Sequence, residues 1–358
     1  MRPLRICLIA SSRFPVAEPF AGGLEAHTHS LARALIARGH EVSLFAAPGS
    51  DPALNVETLD VASVSLSSRA RSDVGAPPEA WMQEHHAYLA LLLGLAATGH
   101  ERFDIVHNNS LHHLPIAMSS ALEVPFVTTL HTPPTPWLES AMRFAAPSAR
   151  FVAVSQHTAE EWSHAVAADV IPNGIDAGRW KAGPGGERAI WFGRLVPEKG
   201  VHVAIDAARL AGVPLDLAGP AHDPEYFDRE IAPRLGPDVR YLGHLPSAEL
   251  AHRVGHSSVC VVTPRWEEPY GLVAAESMAC GTPVAGFARG GLVDVVGAAG
   301  GRLCAPDDVG GLASAIRLAS LLPRDAVRAH AVAHCSLDRM VEAYERLYDD
   351  ARGLALAA

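Results

Sequence analysis

Short apolar runs alternate with amphipathic stretches along almost the whole chain. Arg5 to Ala10 reads as a buried strand, and a loop rich in Ser, Pro and Gly follows as far as Gly22-Gly23. From Leu24 to Arg38 the apolar positions fall at helical spacing, with Leu24, Thr28, Leu31 and Leu35 on one face. Gly39 stops that helix, and Glu41 to Ala46 supplies the next strand, completing a β-α-β unit. Further strands are predicted at Ile105–His107, Pro125–Leu130 and Phe151–Ser155, with a helical hairpin-like region over Glu79–Ala97 ahead of them.

The pattern then starts again. Arg188–Phe192 is a strand, Gly200–Ala211 a helix and Pro214–Ala218 the following strand; more strands are predicted at Val239–Leu242, Val259–Thr263 and Pro283–Gly286. The last helix, Leu337–Leu347, carries Met340, Tyr344 and Leu347 at helical spacing. Strands alternating with helices predict open parallel sheets, and two β-α-β beginnings predict two Rossmann-like α/β domains. The loose segment from Asn173-Gly174 to Gly185-Gly186 is the linker candidate. Ligands of open parallel sheets bind beyond the carboxyl ends of the strands. Gly22-Gly23, the loop from Gly193 to Lys199 and the stretch from Trp266 to Glu276 should therefore face one cleft.

Composition narrows the class. At 358 residues the chain is too long for one ordinary core, and 49% hydrophobic with 19% charged residues describes a globular protein. A formal charge of −10 gives no general attraction to nucleic acid or anionic lipid. The 5 cysteines are scattered with no C-x-x-C pair, which fits free thiols in a reducing cytoplasm. Ile6–Ala10 is too short for a signal-peptide core, and Ala87–Ala97 falls short of the ~18–20 residues of a membrane span. A soluble cytoplasmic protein is expected, with no nucleic-acid partner and no membrane association.

The candidate chemistry centres on Trp266-Glu267-Glu268-Pro269-Tyr270-Gly271-Leu272-Val273-Ala274-Ala275-Glu276. Pro269 and Gly271 forbid a regular helix at the start, whereas Leu272–Ala279 is a strong helix former. Glu268 should sit on a loop and Glu276 about a turn into the helix. At ~1.5 Å per helical residue the two acids lie up to roughly 12 Å apart. That is too far to share a proton and about the length of a sugar–diphosphate–ribose unit. The free N–H groups at Gly271, Leu272 and Val273 would face the phosphates between. Taken alone, the stretch equally fits a surface loop before an ordinary helix acid.

Arg194 and Lys199 flank a strand-to-helix loop opened by Gly193, and two cations beside a helix N-terminus suit a diphosphate. As a lone pair, such cations are more often solvated surface charges. The chain has no D-x-D pair to hold a divalent metal, so a leaving diphosphate would depend on cations and backbone dipoles. Gly22-Gly23-Leu24-Glu25 permits close backbone approach to a ligand, but it is not G-x-G-x-x-G. His131, at a strand end before Thr132-Pro133-Pro134, can donate to a substrate hydroxyl or phosphate, or simply be pinned by loop hydrogen bonds. His107, His112, His113 and His85-His86 lack helical i,i+4 partners and accompanying Cys or acids, so no metal site is expected.

Together these motifs resemble glycosyltransferase family 4, the retaining nucleotide-sugar transferases of GT-B fold. The resemblance is carried by Gly22-Gly23-Leu24-Glu25, Thr129-Leu130-His131-Thr132, Pro172-Asn173-Gly174-Ile175-Asp176 and Gly193-Arg194 with Glu198-Lys199-Gly200. It continues through the E-x₇-E pair Glu268/Glu276 and Gly281-Thr282-Pro283-Val284, and runs from about Leu4 to Tyr348. It implies an acceptor domain over residues 1–174 and a donor domain over 187–336, facing across a deep cleft, with segment 337–358 packing back onto the first. It also implies that Arg194 and Lys199 hold the donor diphosphate, Glu276 the ribose and Glu268 the transferred sugar. Backbone at Gly271–Val273 would meet phosphate and sugar, with His131 near the reacting carbon and Gly23 near the diphosphate. Gly243 and His244, with Leu245, would line the base. Tyr270 replaces the usual Phe, and Asp294 stands where Glu is frequent.

The implied reaction is hexosyl transfer from a nucleotide diphosphate sugar to an acceptor hydroxyl with retained configuration, by same-face attack, without metal or other cofactor. UDP-glucose or UDP-N-acetylglucosamine is expected over GDP-mannose. The absence of Lys and Arg between Ala80 and His100 favours a small soluble acceptor over a membrane lipid. A GDP-mannose-dependent mannosyltransferase, a sugar-nucleotide epimerase or phosphorylase of this fold, and a non-catalytic sugar-nucleotide binder are the alternatives. A NAD-dependent oxidoreductase is disfavoured by the missing G-x-G-x-x-G after Ala10 and Phe192.

Overall fold

The computed structural model describes residues 2–59 and 65–357, with side chains up to residue 353. Met1 and Ala358, the ends of the expected spans, lie outside them. A seven-stranded sheet comes first, all parallel, in the order β3-β2-β1-β4-β5-β6-β7. Its strands are β1 (Arg5–Ile9), β2 (Glu41–Ala46), β3 (Val56–Thr58), β4 (Ile105–Asn108), β5 (Phe126–Leu130), β6 (Arg150–Ala153) and β7 (Ala168–Val170). Helix α1 (Gly23–Ala37) joins β1 to β2, α2 (Glu79–Arg102) precedes β4, and α3 (Pro136–Ala141) and α4 (Gln156–Trp162) follow β5 and β6. β4 and β5 are buried throughout, as expected of strands covered on both faces.

The second sheet has six strands in the order β10-β9-β8-β11-β12-β13. They are β8 (Ala189–Phe192), β9 (Leu215–Ala218), β10 (Val239–Tyr241), β11 (Cys260–Val262), β12 (Val284–Phe287) and β13 (Gly301–Cys304). The helices are α5 (Val201–Ala211), α6 (Ser247–Gly255), α7 (Leu272–Ala279), α8 (Leu292–Gly300), α9 (Val309–Ala319), α10 (Arg324–His334) and α11 (Leu337–Ala357). Met340, Val341, Tyr344, Leu347, Tyr348 and Ala351 of α11 are buried in the core of the first sheet, beside Leu4, Leu31 and Leu35. Each sheet reverses direction once, between β1 and β4 and between β8 and β11. Such switch points open crevices at the carboxyl edge.

One element differs in kind from the sequence reading. Glu79–Ala97 is not hairpin-like: it belongs to the single 24-residue helix α2. Gly94 and Gly99 lie inside it without breaking it, because buried Tyr88, Leu92 and Leu95 pack it onto the sheet. β3, β7 and β13 escaped the periodicity because they are sheet-edge strands whose residues are mostly half-buried or exposed, so they form no continuous apolar run.

Candidate active site

Both switch points face the same space. The loops after β1 and β8, the first part of the linker (residues 174–180) and the start of α7 line a cleft with about 1470 Å³ of empty space, its open mouth included. Gly23, Gly193, Arg194, Lys199, His244, Glu268, Gly271, Leu272, Val273 and Glu276 all line it. Gly243 and His131 stand just outside this lining, each next to residues that belong to it or touch it. Gly243, at φ +79, turns the chain so that the adjacent His244 reaches across to the carbonyl of Phe20 (3.1 Å).

α7 begins where the glycine allows it. Gly271 is the N-cap at φ +90 and ψ +52, in the left-handed region, and a Cβ there would lie 2.7 Å from Leu292 Cδ1. Glu268 is on the preceding loop and Glu276 is in the second turn of α7. The Glu268 loop is held tightly: Gly291 N donates to Glu268 O at 2.7 Å, and a Cβ on Gly290 would approach that carbonyl to 2.2 Å.

The two acids sit in different electrostatic surroundings. Lys199 Nζ is 2.6 Å from Glu268 Oε2 and 5.0 Å from the centre of the Trp266 ring, whose Nε1 donates to the same oxygen (3.2 Å). The cation expected at the diphosphate and the acid expected at the sugar are thus already paired. Among the described residues Glu276 has no such partner: burial pushes it from its ordinary 4.5 up to about 8, opposed by the charge of Arg179. Arg194 makes no ion pair among the described residues. It acts across the cleft on buried Glu25, where it and Arg13 oppose the upward effect of burial. A Cβ built on Gly23 would contact Leu272 at 3.6 Å, so the two helix starts face each other closely.

Arg179 is the site residue that the sequence reading passed over. It lines the cleft, pairs with Glu18, and lies 5.6 Å from the centre of the Phe20 ring. Asp176 Oδ1 accepts from the N–H groups of Gly178 (2.8 Å) and Arg179 (3.3 Å), a side-chain turn that presents the arginine. The signal was present in Pro172-Asn173-Gly174-Ile175-Asp176, read only as a family motif.

His131 is fixed by a buried chain of hydrogen bonds. Asn109 Nδ2 donates to His107 Nε2 (3.3 Å), which leaves Asn109 Oδ1 to accept from His131 Nε2–H at 2.7 Å. His107 Nδ1–H then donates to the Tyr348 hydroxyl on α11 (2.7 Å). Burial holds His131 well below its ordinary pKa, with His27 and His107 adding to the effect. Neutral, and with its Nε2 proton committed, it offers Nδ1 as an acceptor.

Both departures from the family pattern fall on contacts between the domains. Buried Tyr270 donates its hydroxyl to the carbonyl of Asn173 in the linker (2.7 Å). Asp294 Oδ2 accepts from His157 N (3.3 Å), and beside it Ser155 Oγ (2.6 Å) and Thr158 Oγ1 (3.1 Å) donate to the carbonyl of Pro269. Three of the histidines weighed as metal ligands come together in the fold, with one nitrogen each of His85, His112 and His113 within 4.8 Å of one another. Among the described residues, no helix is long and apolar enough to cross a membrane.

Comparison with known proteins agrees with this architecture. The family model described as Glycosyltransferase Family 4 matches residues 21–179, and that described as Glycosyl transferases group 1 matches residues 178–332. The chain is 31% identical to a glycogen synthase of Mycobacterium tuberculosis (strain ATCC 25618 / H37Rv), over 88% of this chain and 85% of that protein. It is 28% identical to a D-inositol 3-phosphate glycosyltransferase of Actinosynnema mirum, over 97% of each. Among solved structures, sucrose-phosphate synthase from Thermosynechococcus elongatus superposes with a TM-score of 0.76 at 21% identity, covering 99% of both chains. Anabaena Alr3699/HepE in complex with UDP-glucose gives 0.72 at 20% identity, covering 97% of this chain and 100% of that one. With two parallel α/β sheets facing one cleft, and both halves matched, the chain belongs to glycosyltransferase family 4 and has the GT-B fold.

Proposed function

We propose that this glycosyltransferase is a retaining, metal-independent hexosyltransferase that draws its sugar from a nucleotide diphosphate, UDP-glucose or UDP-N-acetylglucosamine before GDP-mannose. The observation that carries this reading is the cleft itself. Arg194, Lys199, Gly271, Leu272 and Val273 at the start of α7, Glu268 and Glu276 all line it. Arg194, Lys199 and the helix start neutralise the departing diphosphate. Glu276 accepts from the ribose hydroxyls, and Glu268 from hydroxyls of the transferred sugar. His131 accepts a sugar hydroxyl through Nδ1. The departing phosphate takes the acceptor proton as the acceptor oxygen attacks from the same face; the anomeric carbon–phosphate bond breaks and the new glycosidic bond forms on that face. The HepE complex with UDP-glucose supports the choice of donor at the level of fold.

The acceptor in this reading is a small soluble molecule. A second reading takes a glucan chain, favoured by the glycogen synthase relative and by two exposed indoles. Trp81 and Trp137 are 38% and 56% exposed with rings 5.6 Å apart, at the carboxyl edge of the first sheet where sugar rings would stack. The test incubates purified protein with UDP-glucose and either short maltooligosaccharides or polyol phosphates, and reads the product anomer by NMR. An α-linked product from an α-linked donor is expected; inversion at the anomeric carbon would overturn the mechanism.

A further inference from the structure

Away from the cleft, the first domain gathers a second set of side chains. His85 lies on α2, while His112 and His113 lie on the loop after β4. One nitrogen from each comes within 4.8 Å of the others, and none of the three residues lines the interdomain cleft. The rings are held by stacking. His112 lies against Tyr88 and against His113, each at 4.4 Å, and His113 lies against Trp137 at 4.5 Å. His85 stacks on Trp81 at 5.8 Å.

Hydrogen bonding does not account for this grouping. His112 Nδ1 accepts only one weak bond, from Leu114 N (3.2 Å), and a metal taken by His112 would displace that N–H and use the same Nδ1 lone pair. His85 Nδ1 is buried with no partner among the described residues. Orphaned buried nitrogens are costly and ask for an explanation.

We propose that His85, His112 and His113 form a three-histidine site for a divalent transition-metal ion of the zinc class. Three neutral imidazoles suit Zn²⁺, Co²⁺, Ni²⁺ or Cu²⁺, whereas Mg²⁺ and Ca²⁺ require oxygen ligands. Zinc–nitrogen bonds of about 2.0–2.1 Å bring ligand nitrogens to roughly 3.3 Å apart in a tetrahedron. Side-chain rotation of partly exposed histidines supplies the closure from 4.8 Å. The ion would join the start of α2 to the loop after β4 and brace the acceptor-side edge of the first sheet. Water would fill the remaining position.

The test uses tag-free full-length protein, stripped with EDTA, dialysed, and titrated with Zn²⁺ by calorimetry and with Co²⁺ by visible absorption. One tight equivalent is expected, with the absorption of tetrahedral cobalt and a rise in Tm that Mg²⁺ does not reproduce. His85→Ala and His113→Gln should each weaken binding by on the order of 100-fold or more. His113→Gln keeps the side chain's bulk and guards against misfolding, which circular dichroism would reveal. His252→Ala, which breaks the stacked His252/His256 pair on α6 (4.1 Å), should change nothing. Wild-type affinity in a folded His113→Gln protein, loss of binding in His252→Ala, or no stoichiometric binding would each overturn the proposal.

Discussion

Glu276 gives the free enzyme a pH signature. Its folded pKa is raised from 4.5 to about 8 by burial. Below about pH 4.5 it is protonated folded and unfolded alike, and contributes nothing. As pH rises from there to about 8 the unfolded chain loses the proton first, so stability falls through this window, and the penalty stays full above it. Glu276→Gln removes the penalty. Its Tm should match the wild type near pH 4.5 and exceed it increasingly up to pH 8, while its affinity for the donor falls; a constant Tm difference across the window would contradict the assignment. Lys199 raises a different question, because its ammonium is held by Glu268 and Trp266. If Lys199 and Arg194 stabilise the leaving diphosphate, Lys199→Ala and Arg194→Ala should each lower kcat by on the order of 10²-fold. Steady-state turnover near the wild-type value in either variant would remove that residue from the chemistry. The placement of Arg179 beside Glu276 and the acceptor role of His131 were not legible in the sequence. Both depend on partners distant along the chain, Glu276 for one and Asn109 with His107 for the other.

At the scale of elements, the start of α7 is the piece whose geometry matters most. Gly271→Ala places a Cβ at φ +90 and 2.7 Å from Leu292 Cδ1. A loss of about 1–2 kcal/mol in denaturant-melt stability is expected, together with a raised donor KM. An unchanged KM would mean that the helix start does not meet the donor. α11 ties the first domain to the site from behind. Tyr348→Phe leaves the buried His107 Nδ1–H without its acceptor and should cost about 1–3 kcal/mol of stability. The strands and helices that frame the cleft were readable from the sequence because buried parallel strands are continuous apolar runs and glycines punctuate the helix ends, as at Gly39 and Gly271. β3, β7 and β13 were not readable, since partly buried edge strands form no continuous apolar run. Nor was the unbroken α2, whose glycines are tolerated only because Tyr88, Leu92 and Leu95 anchor it to the sheet.

For the whole molecule, the two sheets place their switch points on one cleft, and contacts from Ser155, Thr158 and Asn173 to the Pro269-Tyr270 segment join the domains beside it. The three-histidine site stands on the outer part of the first domain, so stripping its metal should lower Tm while transfer continues in EDTA. Strict dependence of turnover on an added divalent metal would contradict the cation-and-dipole account of leaving-group stabilisation. The clustering of His85, His112 and His113 is a property of the whole fold: α2 and the loop after β4 meet only once the sheet has formed. The central claim is that the cleft holds a nucleotide diphosphate sugar through Arg194, Lys199 and Glu276. The most direct measurement is a thermal-shift screen of UDP, GDP and ADP and their sugars against the wild type and Lys199→Ala. A ligand at about 100 times its Kd stabilises the folded state by about 2.7 kcal/mol. The account predicts that UDP and a UDP-sugar raise the wild-type Tm by about 5 °C or more, and that Lys199→Ala loses most of the shift. No shift with any nucleotide, or an equal shift in Lys199→Ala, would contradict it.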